Sequence, residues 1–428
     1  MNWLPATVGD ACIPTSQTDP TRSGAPTFRY VDIASVDRDA KAISRADELP
    51  CAEAPSRARK IIHTSDVLVS TVRPNLNAVA LVPDELDGEV ASTGFAVLRA
   101  DLKLLHPKFL FYWVQHREFI DFLVANATGA SYPAVTEGVV KRTRLPLATP
   151  TEQSRIVELL DEADRLRHLR RAADAKAARI MPALFLTMFG DPATNPLRLP
   201  TKSLGDLDIC EINPRSRLSL PDDAVISFVP MADVDEYLGK ITGSQTRLYG
   251  EVKKGFTPFQ NGDVLFAKIT PCMQNGKAAI ASGLVGGVGF GSTEFHVLRA
   301  AKVVTAEYLF ALVRLQSFRN HAMSAFTGSA GQQRVPGEFL KQYRLPIPSP
   351  DGIQKFSKIL RLLMSSQFAA EQTAKKLDTQ FGVILQHAFS GRLTAKWREA
   401  HMKELLAEME EQARALNLPR HFASEAFV

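Results

Sequence analysis

The chain has 428 residues, 45 % of them apolar, and a formal net charge of +5, enough for two or three buried cores and a lean toward a polyanionic partner. No run of 18 or more apolar residues appears, and the opening MNWLPATVGD lacks the basic-then-apolar layout of a secretory signal, so a soluble, cytoplasmic protein is expected and a membrane protein is not. The four cysteines (Cys12, Cys51, Cys210, Cys272) form no C-x-x-C pair, which disfavours a disulfide framework or a zinc knuckle.

Residues 1–150 read as a small mixed α/β domain. VGD at Val8, YVDIASVD at Tyr30, DVLVSTVRP at Asp66 and STGFAVLRA at Ser92 are short apolar blocks bounded by Gly, Pro and Asn, as strands are. FLFYWVQHREF at Phe109 reads as a helix, ATGAS at 127–131 as a turn, and KRTRLPLATP as a last strand feeding the next element. All of these return about 200 positions later, in the same order: LGD at Leu204, FVPMADVD at Phe228, DVLFAKITP at Asp263, STEFHVLRA at Ser292, YLFALVRLQSF at Tyr308, FTGSA at 326–330 and KQYRLPIPSP ending at Pro350. Such a period is too long for a solenoid and marks a duplicated domain, so 191–350 is a second copy. The intervening loops differ in length and content, as expected of one scaffold presenting two surfaces.

Each copy is followed by a helix. Thr149, Pro150 and Glu152 suit an N-cap, a first turn and a capping box; Ser349 and Pro350 repeat the first two, while Gly352 removes the box. Residues 151–190 place Ile156, Leu159, Ala163, Leu166, Ile180 and Leu184 on a heptad seam interrupted by Arg170 and Thr187. Residues 351–392 do the same with Phe356, Leu360, Leu363, Leu377, Phe381 and Ile384, interrupted by Gln367. Gly190 and Gly391 end both helices, Pro182 should kink the first, and Gly382 should soften the second. At about 35 residues each helix spans roughly 50 Å. Chain continuity then predicts two related domains at the ends of an antiparallel two-helix coiled coil, with an internal pseudo-two-fold repeat. The tail, 393–428, carries Trp397, Leu405, Leu406, Met409 and Leu416 at helical spacing and reads as an amphipathic helix that lands near the first domain or against a partner.

Two similar heads one to two DNA turns apart fit a polymer with a repeating backbone, and because the heads differ, the target is split and asymmetric with an unread gap. Candidate phosphate contacts are Arg57, Arg59, Lys60 and Arg73 in the first copy and Arg247, Lys253, Lys254, Lys268 and Lys277 in the second. Each alone reads as a solvated charge; the group is more telling. Ser131, Tyr132, Gln332, Gln333 and Arg334 lie in polar turns and could read base edges, or simply make the turn. Residues 151–190 carry seven Lys/Arg against six Asp/Glu, a balance that describes a solvated surface or a protein-docking face, not a DNA grip.

No chemistry of the chain's own is expected. NPL at Asn195 and NPR at Asn213 lack the second proline and aromatic of an amino-methyltransferase turn, and GGVGFG at 286–291 reads as a hairpin loop. His63 and His296 have no plausible Ser/Asp partner nearby and read as core or surface histidines.

PTEQSRIVELLDEADRLRHLRR and ALFLTMFGDPATNP resemble the central helical region of the specificity subunits of type I restriction–modification systems, and LQHAFSGRLTAKWRE resembles the end of their second one. GDVLFAKITP and RLPIPSP resemble strands of their target-recognition domains. The resemblance implies an α+β chain with target-recognition domains at 1–150 and 191–350, each reading half of a gapped sequence in double-stranded DNA. It implies helices that dock two methyltransferase subunits, which bring S-adenosylmethionine, and in some complexes restriction/translocase subunits; the chain itself would hold no cofactor and no metal. A coiled-coil scaffold whose ends bind proteins is the rival reading.

Overall fold

A computed structural model describes residues 3–215, 219–243, 245–329 and 331–418. The chain forms two compact units, Met1–Leu169 with Lys375–Val428, and Arg170–Ala374.

In the first unit, strand Leu4–Thr7 pairs antiparallel with Arg144–Leu147, closing the start of the chain onto the stretch that feeds the helix. A four-stranded antiparallel sheet runs Cys12–Ile13, Phe95–Ala100, Val67–Ser70, Val79–Leu81. A second runs Asp47–Pro50, Thr27–Val31, Val90–Ser92, Ala58–Ile61, with its two inner strands parallel. The second unit repeats this pattern. Thr201–Ser203 pairs with Arg344–Pro346. One sheet runs Cys210–Ile212, Phe295–Ala300, Val264–Ala267, Ala278–Ile280. The other runs Gln245–Leu248, Val225–Val229, Val288–Gly291, Thr257–Gln260, again with a parallel inner pair. The glycine run expected as a hairpin loop is therefore turn at its first two residues and inner strand at its last four. Glycine is needed there because a Cβ on Gly291 would lie 2.4 Å from Val229 O.

The same buried ion pair pins both units. Asp66 is 1 % exposed, and Arg99 donates to it through Nε and Nη2, both at 2.8 Å. Asp263, also 1 % exposed, receives the same two bonds from Arg299 at 2.8 Å. A bidentate guanidinium satisfies a buried carboxylate better than a point charge, which explains why Asp-Val-Leu and Leu-Arg-Ala recur together.

Helix Pro150–Ala177 is interrupted before Ile180–Phe189. Pro182 has no N–H to give residue 178 and its ring crowds that turn, so the break falls where the sequence predicted a kink. Helix Pro350–Phe389 is continuous through the exposed Gly382. In the first unit, Ile156, Val157 and Leu160 share a core with Phe381, Leu385 and Phe389. In the second, Phe185 and Phe189 pack edge-on against Phe356, and Gln367 Nε2 donates to Ala177 O at 3.2 Å, filling an acceptor freed at the break.

The first seam needs correcting. Ile156 is buried, Leu159, Ala163 and Leu184 are half-buried, but Leu166 and Ile180 are exposed. The buried positions are Leu160, Met181 and Phe185, one residue on, with the largely covered Arg167 in place of Leu166. Its guanidinium lies 4.2 Å over the Phe381 ring and donates to Asp164 and Asp378, both at 2.7 Å, so a cation with an apolar stem fills the seam. In the second helix Phe356, Leu360 and Phe381 are buried and Leu363, Leu377 and Ile384 half-buried, on the face that the heptad count selected.

Glu152 does not act through a capping box. It is fully buried and accepts from Trp3 Nε1 (2.9 Å), Thr394 Oγ1 (2.6 Å) and Arg398 Nε (2.8 Å). The tail folds over this point as two helices, Ala395–Ala400 and Met402–Ala415, and buries Met409 and Ala413 with Leu4. It is thus part of the first unit; 419–428 lie outside the described residues.

Candidate nucleic-acid interface

The residues singled out in the first unit converge on one set of loops. Thr71 donates through N and Oγ1 to Gly94 O at 2.9 and 2.8 Å, Thr93 N donates to Arg57 O at 2.8 Å, and Val135 N donates to Thr71 O at 2.9 Å. This ties 57–60, 71–73, 93–94 and 128–135 into one edge. Arg57, Arg73, Ser131 and Tyr132 are exposed on it. Arg73 stacks 4.9 Å over the Tyr132 ring. The other two cations are occupied: Arg59 pairs with Asp19 at 3.5 Å and Lys60 with Glu137 at 2.5 Å. Burial would raise the Glu137 carboxyl, but Lys141 and Lys60 together hold it below its ordinary range.

The second unit divides its candidates between two places. Lys268, Lys277, Gln332, Gln333 and Arg334 gather around the loop equivalent to 71–73. Lys268 N donates to Glu294 O at 2.9 Å, Val335 N donates to Lys268 O at 2.9 Å, and Thr270 N donates to Gln333 O at 3.0 Å. Lys277 Nζ reaches Met231 O at 3.3 Å. Arg334 binds Glu294 through Nε and Nη2, both at 2.9 Å, and hydrogen bonding to that guanidinium depresses the Glu294 carboxyl. Arg247, Lys253 and Lys254 lie instead on and after the edge strand Gln245–Leu248: Arg247 stacks 3.9 Å over Phe228, Lys253 pairs with Asp222 at 2.6 Å, and Lys254 is exposed.

His296 stands behind the second loop. It is 5 % exposed; Nε2 donates to Val335 O at 2.8 Å, and Nδ1 faces Asn213 Nδ2 at 3.0 Å. Burial lowers its pKa, so it is a neutral structural support, as the default reading held. His63 pairs with Asp87 at 3.0 Å at the surface. Sequence reasoning missed the carboxylates that occupy these cations and the Asp–Arg pairs beneath; for the latter the signal was present, since Asp and Arg recur in both copies of the repeat.

The two units thus repeat one frame while presenting different side chains at the matching loops. Residues 202–377 match the family described as the type I restriction modification DNA specificity domain. The chain is 41 % identical over 142 residues to the EcoEI specificity subunit of Escherichia coli, a type I restriction enzyme subunit, across 33 % of this chain and 24 % of that one. It is 42 % identical over 141 residues to the EcoAI specificity subunit of the same organism, with the same two shares. The chain therefore spans about a quarter of the length of these curated relatives. A solved structure described as the structural basis of complex assembly and conformational transition of the type I R-M system aligns over 92 % of this chain and 98 % of that one, at 25 % identity and a TM-score of 0.57. Residues 202–377 are thus similar to a type I restriction modification DNA specificity domain, and over that stretch the resemblance read from the sequence is borne out.

Among the described residues no helix is long and apolar enough to cross a membrane, and no cluster of His, Cys, Asp and Glu has the arrangement of a metal site.

Proposed function

We propose that this chain is the DNA-reading, non-catalytic subunit of a type I restriction–modification complex in the cytoplasm. Each unit takes one half of a gapped, asymmetric target in double-stranded DNA. The two long helices form the antiparallel coiled-coil spacer that sets the gap, with the units related by a pseudo-two-fold axis. The observation that carries this reading is the repeated loop frame: Thr71–Gly94 and Lys268–Glu294 make the same backbone bond at 2.9 Å, yet the neighbouring side chains are Arg73 and Tyr132 in one unit and Gln333 and Arg334 in the other. A common scaffold with unlike reading edges is what a split target requires. Methyltransferase subunits holding S-adenosylmethionine, and in a restricting system translocase subunits, are the partners proposed for the helices. Exposed apolar side chains there, Leu169 at 54 % and Leu362 at 65 %, support protein docking.

The test is a base-modification map of the host genome with this gene intact and deleted. Loss of one gapped, asymmetric methyladenine motif is expected; an unchanged map overturns the reading. Exchanging residues 1–150 for those of another specificity subunit should then change one half of the motif only. Shortening both helices in step by one heptad should change the gap and leave both halves readable.

A further inference from the structure

We propose that Arg73 reads a guanine in the half-site taken by the first unit, with Tyr132 as the platform that orients its guanidinium; this rests on the DNA-reading function above. The backbone of the loop carrying Arg73 is held on both sides of that residue. Thr71 is held by Gly94, Arg73 N donates to Pro133 O at 2.7 Å, Pro74 is buried, and Asn77 Nδ2 donates to Val114 O at 2.8 Å. Arg73 itself has φ 49° and ψ 62°, the left-handed region that favours glycine, and it also precedes a proline. A long side chain persists there only where its surroundings over-determine the backbone, and such positions cluster at ligand clamps.

Tyr132 is 71 % exposed and lies under the guanidinium at 4.9 Å. A guanidinium stacked on a ring uses its face and keeps its edge, so the in-plane N–H donors remain available. That fork matches N7 and O6 of guanine in the major groove, the commonest specific arginine contact. A phosphate would draw the charge equally well, but it gives an exposed aromatic ring beside the arginine nothing to do, whereas a base edge or a thymine methyl can pack on it. The matching place in the second unit holds Thr270, whose N and Oγ1 both bond the Gln333 backbone, at 3.0 and 3.2 Å. The arginine of that loop is bound to Glu294. At this loop the ring-backed arginine is therefore confined to the first unit; in the second unit the exposed Arg247, stacked over Phe228, stands on an edge strand instead.

The experiment places Arg73→Ala in the otherwise intact system and repeats the modification map, with the first half-site identified by the 1–150 exchange. One G·C position in that half should become degenerate, its discrimination falling roughly 5- to 150-fold, while the other half and the gap persist. In duplex binding by the purified complex, 7-deazaguanine at that position should weaken wild type and leave R73A indifferent. Tyr132→Ala should lose part of the same discrimination. Arg73→Gly suits the left-handed backbone and must relax the same position at an unchanged melting temperature, which separates lost reading from misfolding. A first half-site without a G·C pair, an R73A motif as selective as wild type, or a uniform loss of modification at every site (the mark of a phosphate contact) would each overturn the proposal. Failure of the DNA-reading function itself appears earlier, as a map unchanged by deleting the whole chain.

Discussion

Glu152→Gln tests how the first unit is held together. The carboxylate is fully buried, and Arg398, 8 % exposed, donates to it through Nε at 2.8 Å, while Nη2 lies 2.6 Å from the same carboxylate and donates to Gly391 O. Two further donors, Trp3 Nε1 and Thr394 Oγ1, end on the same group. Removing the negative charge leaves the guanidinium buried without a counter-ion, a change that costs about 3–5 kcal/mol. The amide also turns an N–H₂ toward groups that are donors themselves, adding about 1 kcal/mol for each neutral bond lost. Part of this is relieved because the tail can lift and hydrate Arg398, so the net expectation is a loss of about 3 kcal/mol together with exposure of 393–418. The readout is selective: all three tryptophans, Trp3, Trp113 and Trp397, belong to the first unit. Urea unfolding followed by tryptophan fluorescence should shift, and trypsin should cut within the tail of the folded variant. Replacing both partners, Glu152→Leu with Arg398→Leu, should recover most of the loss, since a buried pair is worth little against a well-packed apolar replacement. A loss under about 1 kcal/mol in E152Q with the tail still protected would refute the account.

Other outcomes follow from the same structure. Leu160→Ala should cost about 2–5 kcal/mol by urea unfolding, whereas Leu166→Ala should stay within about 0.5 kcal/mol; equal losses would restore the register expected from the sequence. Asp66→Ala, which strands the buried end of Arg99, should cost about 3 kcal/mol in the fluorescence transition. Asp263→Ala should leave that transition in place and lower the one seen by far-UV circular dichroism alone. His296 is held neutral, its pKa lowered by burial. Its stabilisation is therefore complete above the unfolded value near 6.5 and is lost as pH falls toward the folded value, at up to about 1.4 kcal/mol per pH unit; His296→Gln should remove that slope from the melting temperature. Burial pushes the Cys12 and Cys210 thiols up to about 12, so iodoacetamide at pH 8 should leave both unmodified until the protein unfolds.

The duplication was legible because it is written in apolar positions. Asp-Val-Leu and Leu-Arg-Ala keep their place in each copy, and each resolves into antiparallel neighbours, Val67–Ser70 with Phe95–Ala100 and Val264–Ala267 with Phe295–Ala300. The helix ends were legible for the same reason that glycine and proline act locally: Gly190 takes φ 73° and Gly391 φ 72°, and Pro182 breaks the first helix within its own turn. The seam register was not. Counting apolar side chains selects Leu166, but the groove beside Phe381 takes Arg167, whose stem is as apolar as a leucine and whose head finds Asp164 and Asp378. One of those carboxylates comes from a helix some 200 residues away in sequence, so no window along the chain could weigh it.

The candidate interface residues differ in the partner that each cation meets. Charge and loop position selected Arg59, Lys60, Lys253 and Arg334 on equal terms with Arg73, but four of these five cations already have a carboxylate: Asp19, Glu137, Asp222 and Glu294. An ion-paired cation brings almost no net charge to a polyanion and must break its pair to make a contact, so its share of counter-ion release is small. Arg73 has an aromatic ring instead of a carboxylate beneath it, and a ring leaves both the charge and the in-plane donors unspent. Under the proposed function, what separates a reading arginine from a structural one is therefore the partner that the fold places beside it. The sequence names the arginine; only the folded loop, through the left-handed turn at Arg73 and its bond to Pro133, decides which partner it meets.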